Sequence, residues 1–261
     1  MILNSNVRKR LLTPASTVLL ILAFVLISGC ASKKSLYPTQ KKAIQTESPN
    51  QDVTEKKRKF FDFMRPVIMA ENNTVMIQRK KVQKLQARHD IDHKLSRRDQ
   101  AWLRNLANAY SLKQKDFSSD NFWRNLLMRV DTVPVELALA QAANESSWGR
   151  SRFAREGNNY FGQWCYSKGC GLVPRQRKAG ASHEVAAYDS VNESVRNYIH
   201  NLNSSKAYRK LRHLRFIARQ SGKTIHAISL ANGLDKYSSR GLNYVRDIQS
   251  MIRTNRDLMK S

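Results

Sequence analysis

Residues 134–151 read PVELALAQAANESSWGRS, and this stretch predicts a helix that ends abruptly. Pro134 suits the first turn of a helix, and Gly149 lies where a helix commonly ends. Four alanines make one flank of the helix small enough for close packing against a neighbour. Apolar residues at helical spacing predict two further amphipathic helices within residues 96–130.

The chain after this helix predicts a loop region and then more helices. Residues 157–188 are rich in glycine and aromatic residues and lack a helical period, so we expect loops with a short hairpin. Helical patterns resume at residues 192–202, 206–220, 224–231 and 242–254. The predicted fold class is α+β and mainly helical, with one domain over residues 96–261.

The composition is strongly basic, with a formal net charge of +26 among 261 residues. Such a charge favours polyanionic partners: nucleic acid, anionic lipid or an acidic cell wall. No recognised nucleic-acid motif accompanies the charge, so we expect no nucleic-acid partner. We expect instead that the basic surface binds wall carboxylates or acidic lipid headgroups, more weakly at high salt.

The first 29 residues have the layout of a secretory signal peptide. Cations at positions 8–10 precede an apolar run at 18–27, which is short for a membrane span of roughly 20 apolar residues. Residues 27–30, Ile-Ser-Gly-Cys, resemble the lipobox of bacterial lipoproteins. We therefore predict that Cys30 is lipidated and anchors the protein in a membrane facing the periplasm, with the outer membrane favoured. An uncleaved membrane anchor is the alternative.

Two segments separate this signal from the predicted domain. Residues 30–55 are mostly Lys, Ser, Thr, Gln and Pro, a composition typical of a flexible tether. Residues 56–95 combine phenylalanines with a run of Lys and Arg at 79–88, and we expect a basic helical extension. We interpret the run as a solvated helix face rather than a binding site.

Cys165 and Cys170 are the cysteines that remain after Cys30 is set aside. In a chain that carries an export signal, two thiols five residues apart predict a disulfide. Metal binding is the weaker alternative, because the six histidines are scattered along the chain. We predict no metal site and no cofactor.

Glu145 is the candidate for acid chemistry. It lies near the carboxyl end of the predicted helix, where the helix dipole and apolar neighbours both raise the pKa of a carboxyl group. A carboxyl that stays protonated near neutral pH can protonate the leaving oxygen of a glycoside. An ordinary surface glutamate at a helix end is the alternative interpretation.

A loop rich in aromatic and amide side chains follows, at residues 157–164. Flat rings and amides are suited to binding sugars. From this composition we place Tyr160 and Trp164 in a sugar-binding cleft, whereas Phe161 suits the core beneath the loop.

Four ordered blocks resemble the glucosaminidase family. Residues 141–151, QAANESSWGRS, are similar to its catalytic helix, with the hallmark Glu-Ser-x-Trp-Gly-x-Ser. Residues 159–162 resemble its Asn-x-Phe-Gly loop, and residues 188–198 resemble its Tyr-x-Ser-x-x-Glu-Ser-Val-x-x-Tyr segment. Residues 237–244 are similar to the tyrosine-bearing turn before its last helix.

This resemblance covers about residues 96–256. It implies a lysozyme-like α+β fold and an enzyme that cleaves N-acetylglucosaminyl β-1,4 linkages in peptidoglycan. The insertion between Cys165 and Cys170 is most similar to the Bax-like branch. By resemblance, Glu145 is the general acid and Tyr244 is the active-site tyrosine. The implied substrate-binding residues are Trp148, Asn159, Tyr160, Phe161, Trp164, Tyr188 and Tyr237.

The sequence departs from the family pattern at two places. No acidic residue lies between Glu156 and Glu184, where family members often carry a second carboxylate, so we take Glu184 as its candidate. If no second carboxylate enters the site, the acetamido group of the substrate can act as nucleophile. Arg240 and Gly241 replace the commoner Asp-Pro of the tyrosine turn. Muramidase or lytic transglycosylase activity, and a non-catalytic peptidoglycan-binding lipoprotein, are the alternative functions.

Overall fold

The computed structural model describes residues 53–113, 116–177 and 180–260, which form part of one compact unit. The helices in these ranges are α1 (Val53–Asp92), α2 (Arg97–Ala109), α3 (Asp120–Arg129), α4 (Val135–Ser146), α5 (Arg152–Gly157), α6 (Val191–Ser204), α7 (Arg209–Gln220), α8 (Ala227–Leu230), α9 (Leu242–Thr254) and α10 (Arg256–Lys260). Short 3-10 helices cover Lys206–Tyr208 and Ala231–Gly233. The strands are β1 (Trp164–Cys165), β2 (Gly171–Leu172) and β3 (Glu184–Ala186). The mainly helical α+β prediction is confirmed.

Helix α1 is built into the core of the protein. It packs against α4 and α6, and Phe60 and Phe61 are fully buried. Asn72 donates to the carbonyl of Val133 and accepts from the amide of the same residue, which ties α1 to the loop before α4. The residues predicted as a helical extension are therefore helical, and they share one core with the chain after residue 96.

A buried ion cluster joins α1, α7 and the loop before α4. Asp131 accepts two hydrogen bonds from Arg219, at 3.0 and 2.8 Å, and lies within 3.6 Å of the guanidinium groups of Arg79 and Arg215. The solvated-face interpretation is wrong for Arg79, because its side chain is buried. The negative charge of Asp131 offsets the cost of that burial. Lys80, Lys81, Lys84 and Arg88 are exposed, as a solvated helix face requires.

The strands form a three-stranded antiparallel sheet in the order β1-β3-β2. The predicted disulfide between Cys165 and Cys170 is present, and it links the last residue of β1 to the residue before β2. Gly171 lets β2 approach β3 closely, because a Cβ at this position would lie 2.0 Å from the carbonyl oxygen of Val185. The short hairpin expected in this region is instead a three-stranded sheet, in which β3, the last strand in the chain order, lies between β1 and β2.

The predicted signal peptide at residues 1–29, the predicted lipidation site Cys30 and the predicted tether up to residue 52 lie outside the described residues. Among the residues that are described, no helix has both the length and the apolar character that crossing a membrane requires.

Candidate active site

Helix α4 ends one residue after Glu145, and the chain turns away at once. Ser147, Trp148 and Gly149 all adopt positive φ angles, of 51°, 60° and 77°. The Ser146 hydroxyl donates to the carbonyl of Ala142 and accepts from the amide of Gly149, which closes the helix end. This sharp turn leaves the Glu145 side chain on the last helical turn, facing the loop that follows α5.

The surroundings of Glu145 keep its carboxyl group partly out of water. Burial raises its pKa above the ordinary value, and this effect outweighs the opposing hydrogen bonds from Asn144 and Tyr244 and the charge of Arg240. Gly162 approaches closely, because a Cβ there would lie 3.3 Å from a Glu145 carboxylate oxygen. The predicted rise in the pKa of Glu145 is therefore present, with burial as its largest cause.

A chain of buried hydrogen bonds leads to this carboxylate. The Tyr198 hydroxyl donates to Gln141 Oε1 at 2.7 Å, and Gln141 Nε2 donates to the Tyr244 hydroxyl at 2.9 Å. The Tyr244 hydroxyl oxygen is thus an acceptor for Gln141, which leaves its proton for the Glu145 carboxylate, the other partner. Tyr244 is buried, and its hydroxyl contacts the Glu145 carboxylate. Its predicted role as the active-site tyrosine stays a prediction.

Tyr237 holds Tyr244 and the loop together. Its ring stacks on that of Tyr244 with 5.3 Å between centroids and 7° between planes. Its hydroxyl donates to the carbonyl of Phe161 at 2.8 Å. Burial raises the pKa of Tyr237 well above its ordinary value, so this hydroxyl stays a donor across the physiological range.

Three of the predicted sugar-binding side chains are inside the protein instead. Asn159 donates to the carbonyls of Gln163 and Ala186 and accepts from two loop amides. Tyr160 is fully buried against phenylalanines of α1, and Phe161 stacks on Tyr198 at 3.9 Å. The prediction of a sugar contact is corrected for all three side chains, and the interpretation of Phe161 as a core residue is confirmed. These buried side chains shape the loop that faces Glu145.

The other predicted binding residues lie nearer the surface. Trp148 is half-buried and packs edge-on against Phe60 and Phe61 of α1. The Tyr188 hydroxyl donates to the Gln163 side chain at 2.8 Å. Trp164 is 56% exposed and stacks on His183 with 4.2 Å between centroids, so it is the most accessible aromatic of the predicted set. A sugar contact at these positions stays a prediction.

Glu184 holds the disulfide loop. Its two carboxylate oxygens accept from the amides of Gly169 and Gly171, at 3.1 and 2.8 Å, and these bonds lower its pKa. A lowered pKa and occupied oxygens give no support to the prediction that Glu184 is the second catalytic carboxylate. It also lies beside Cys165 and Cys170, but the disulfide removes both thiols as metal ligands.

Comparison with known proteins identifies the fold around this site. Residues 121–257, more than half of the chain, match the glucosaminidase family model, described as mannosyl-glycoprotein endo-beta-N-acetylglucosaminidase. The chain belongs to the glucosaminidase family. It is also 30% identical over 206 residues to Protein bax of Escherichia coli strain K12, covering 79% of this chain and 72% of that protein. No solved structure matches it.

Family membership confirms the Bax-like glucosaminidase resemblance and the fold class that it implied. It makes the protein a glycosidase-type enzyme. The matched residues 121–257 include Glu145, Gln141 and Tyr244, so the carboxylate and its hydrogen-bond chain lie within the family domain.

Sequence reasoning missed Gln141 and Gly162 as parts of the site around Glu145. A signal for Gln141 was present, because it lies four residues before Glu145 and therefore on the same face of α4. Gly162 lay inside the Asn-x-Phe-Gly block, but its approach to Glu145 depends on how the loop folds over α4. That approach could not be read from local sequence.

Proposed function

We propose that this protein hydrolyses N-acetylglucosaminyl β-1,4 linkages in the glycan strands of peptidoglycan, with Glu145 as the general acid. The observation that carries the proposal is the carboxyl group of Glu145, which is half-buried, has a raised pKa and accepts a hydrogen bond from Tyr244. A raised pKa increases the fraction of Glu145 that holds its proton at a given pH, and a protonated carboxyl can pass its proton to the leaving glycosidic oxygen.

The second catalytic group is the acetamido group of the substrate. The hydrogen bonds of Glu184 hold its carboxylate at the disulfide loop. The charged side chain that acts on Glu145 is a cation, Arg240. The acetamido oxygen would attack the anomeric carbon as Glu145 protonates the departing oxygen, and water would open the cyclic intermediate. Tyr244 would fix the orientation of Glu145 during both steps.

We also propose that the enzyme works at the cell envelope, anchored through lipidated Cys30 in a membrane that faces the periplasm. The support is the signal layout and lipobox of residues 1–30. The net charge of +26 would hold the protein at acidic wall or lipid surfaces, and raising the ionic strength should release it.

Digestion of purified peptidoglycan tests the proposed reaction. The full chain, purified in a mild detergent, is compared with Glu145→Gln and with Glu136→Gln, a matched control in the first turn of the same helix. Products are reduced with borohydride and analysed by mass spectrometry. We expect fragments that end in reduced N-acetylglucosamine from the parent and the control, and a loss of about 10²- to 10⁴-fold in Glu145→Gln.

The product ends separate the proposal from its alternatives. Reduced muramic acid at the ends would make the protein a muramidase, and anhydromuramic ends would make it a lytic transglycosylase. Binding to peptidoglycan without release of fragments by the parent would indicate a non-catalytic wall-binding protein.

A further inference from the structure

The turn between Tyr237 and Tyr244 is fixed at both ends beside Glu145. At its start, the Tyr237 hydroxyl donates to the carbonyl of Phe161 in the loop that faces Glu145. At its end, the Tyr244 hydroxyl contacts the Glu145 carboxylate itself. Arg240 lies between these two tyrosines, so its backbone is held next to the site.

The guanidinium group of Arg240 is open to a ligand. Its side chain is 55% exposed and pairs with Asp247 of α9, which is 45% exposed. An exposed ion pair of this kind contributes little to stability, so a ligand can compete with it. Among the described residues, the guanidinium donates to the Asp247 carboxylate alone, and its other N–H groups stay available. Arginine binds a carboxylate through two such N–H groups side by side.

The charge of Arg240 reaches Glu145. Burial raises the pKa of Glu145, and the charge of Arg240 opposes that rise. Among the described residues, Asp247 does not act on the pKa of Glu145, so the positive member of the pair dominates there. Taken alone, this cation favours the ionised form of Glu145, which has no proton to donate. A substrate anion bound to Arg240 would offset the charge and favour the protonated form.

Peptidoglycan carries an anion of this kind close to the linkage in question. The proposed reaction separates N-acetylglucosamine from the muramic acid that follows it, and Glu145 would protonate the departing oxygen of that muramic acid. The neighbouring ring carbon of muramic acid bears a lactyl group. This group ends in a free carboxylate or in a stem peptide with carboxylates of its own. A side chain that binds such a carboxylate must therefore lie near the proton donor, as Arg240 does.

We propose that Arg240 binds a carboxylate carried by the lactyl group of muramic acid and thereby selects peptidoglycan over neutral glycans such as chitin. The inference rests on the proposed function, because it takes Glu145 as the group that protonates the oxygen beside the lactyl group. The observation that carries it is an exposed cation on a turn that Tyr237 and Tyr244 fix at the Glu145 site.

Titration calorimetry with defined glycans tests this proposal on the full chain in detergent. The protein carries Glu145→Gln, so that no ligand is cleaved during the measurement. The first probe is a tetrasaccharide of alternating N-acetylglucosamine and N-acetylmuramic acid with free lactyl carboxylates, and its neutral lactamide is the matched ligand. A third ligand carries L-alanyl-D-glutamate on each lactyl group. Arg240→Gln is the test variant, and Arg253→Gln, at an exposed position of α9, is the matched control for net charge.

We expect at least one of the two anionic ligands to bind about tenfold or more tightly than the lactamide. The tighter of the two identifies the source of the carboxylate, lactyl group or peptide. Arg240→Gln should lose this preference, whereas Arg253→Gln should keep it. Because Arg240 is exposed, its replacement should leave the thermal unfolding midpoint unchanged.

Equal binding of the anionic and neutral ligands, or a preference that survives in Arg240→Gln, would overturn the proposal. Neither result bears on the proposed cleavage, because the ends of the peptidoglycan fragments test that reaction separately. Failure to bind any of the three ligands would also overturn the role of Arg240, and it would count against the glucosaminidase reaction as well.

Discussion

Replacing Tyr244 with phenylalanine removes the hydroxyl that joins the Glu145 carboxylate to the buried amide of Gln141. The ring should stay in place, because it stacks on Tyr237. A hydrogen bond to a charged group contributes about 1.5–3 kcal/mol. If this bond holds Glu145 in its working orientation, its loss should slow fragment release from peptidoglycan by roughly 10- to 150-fold.

The pH dependence gives this prediction a definite sign. The Tyr244 hydrogen bond lowers the pKa of Glu145, against the larger effect of burial. Without the hydroxyl, the pKa of Glu145 rises further, and the acid keeps its proton to higher pH. The alkaline limb of the rate profile of Tyr244→Phe should therefore move to higher pH, even as the maximum rate falls.

Tyr244→Phe should also lower the stability of the protein, because Gln141 loses a hydrogen-bond partner. The Gln141 amide loses its acceptor, and an unsatisfied buried donor costs about 1–3 kcal/mol in the free energy of unfolding. Because Gln141→Met breaks the same chain, its effect on the rate should not add to that of Tyr244→Phe in the double variant. Urea unfolding and initial rates across pH measure the two effects separately.

Tyr110→Phe is the matched control for this experiment. It removes a buried hydroxyl that donates to Gln78 at 2.8 Å, far along α1 from Phe60 and the Glu145 helix. The control should lose stability but keep the parental rate and pH profile. If Tyr244→Phe behaved like Tyr110→Phe, with no fall in rate and no shift of the alkaline limb, the positioning role of Tyr244 would be refuted.

Four further outcomes follow from the described contacts. Phe60→Ala should lower the free energy of unfolding by about 3–5 kcal/mol in urea, whereas the exposed Ile77→Ala on the same helix should change it little. Asp131→Asn should cost about 3–5 kcal/mol, because it leaves buried arginines without a counter-charge; a loss under ~1 kcal/mol would contradict this. Replacing both Cys165 and Cys170 with serine opens a short loop and should lower stability by about 2 kcal/mol by thermal unfolding, and an unchanged midpoint would count against it. Arg240→Gln removes a cation that lowers the pKa of Glu145, so the alkaline limb of the rate profile should move to higher pH; a shift to lower pH would contradict the assigned charge effect.

Local patterns in the sequence were enough for much of the secondary structure and for the central residue of the site. The helix around Glu145 was predictable because its apolar period and its terminating Gly149 are written in neighbouring residues. The helix predicted at residues 242–254 matches α9. The Cys165–Cys170 disulfide was predictable because the two residues are five apart in a chain whose first residues predict an export signal.

Contacts between distant parts of the chain decided the rest. Gln141 forms hydrogen bonds with Tyr198 and Tyr244, which lie 57 and 103 positions later in the chain, and no local period links these residues. Asn159 and Tyr160 lie in a loop without a period, so the sequence could not show that both side chains point inward. The pattern of Lys and Arg in α1 likewise could not show that Arg79 meets Asp131. Sequence alone pointed to Glu145 and predicted its helix, because both depend on neighbouring residues, whereas the surroundings that set the pKa and the orientation of Glu145 required the tertiary fold.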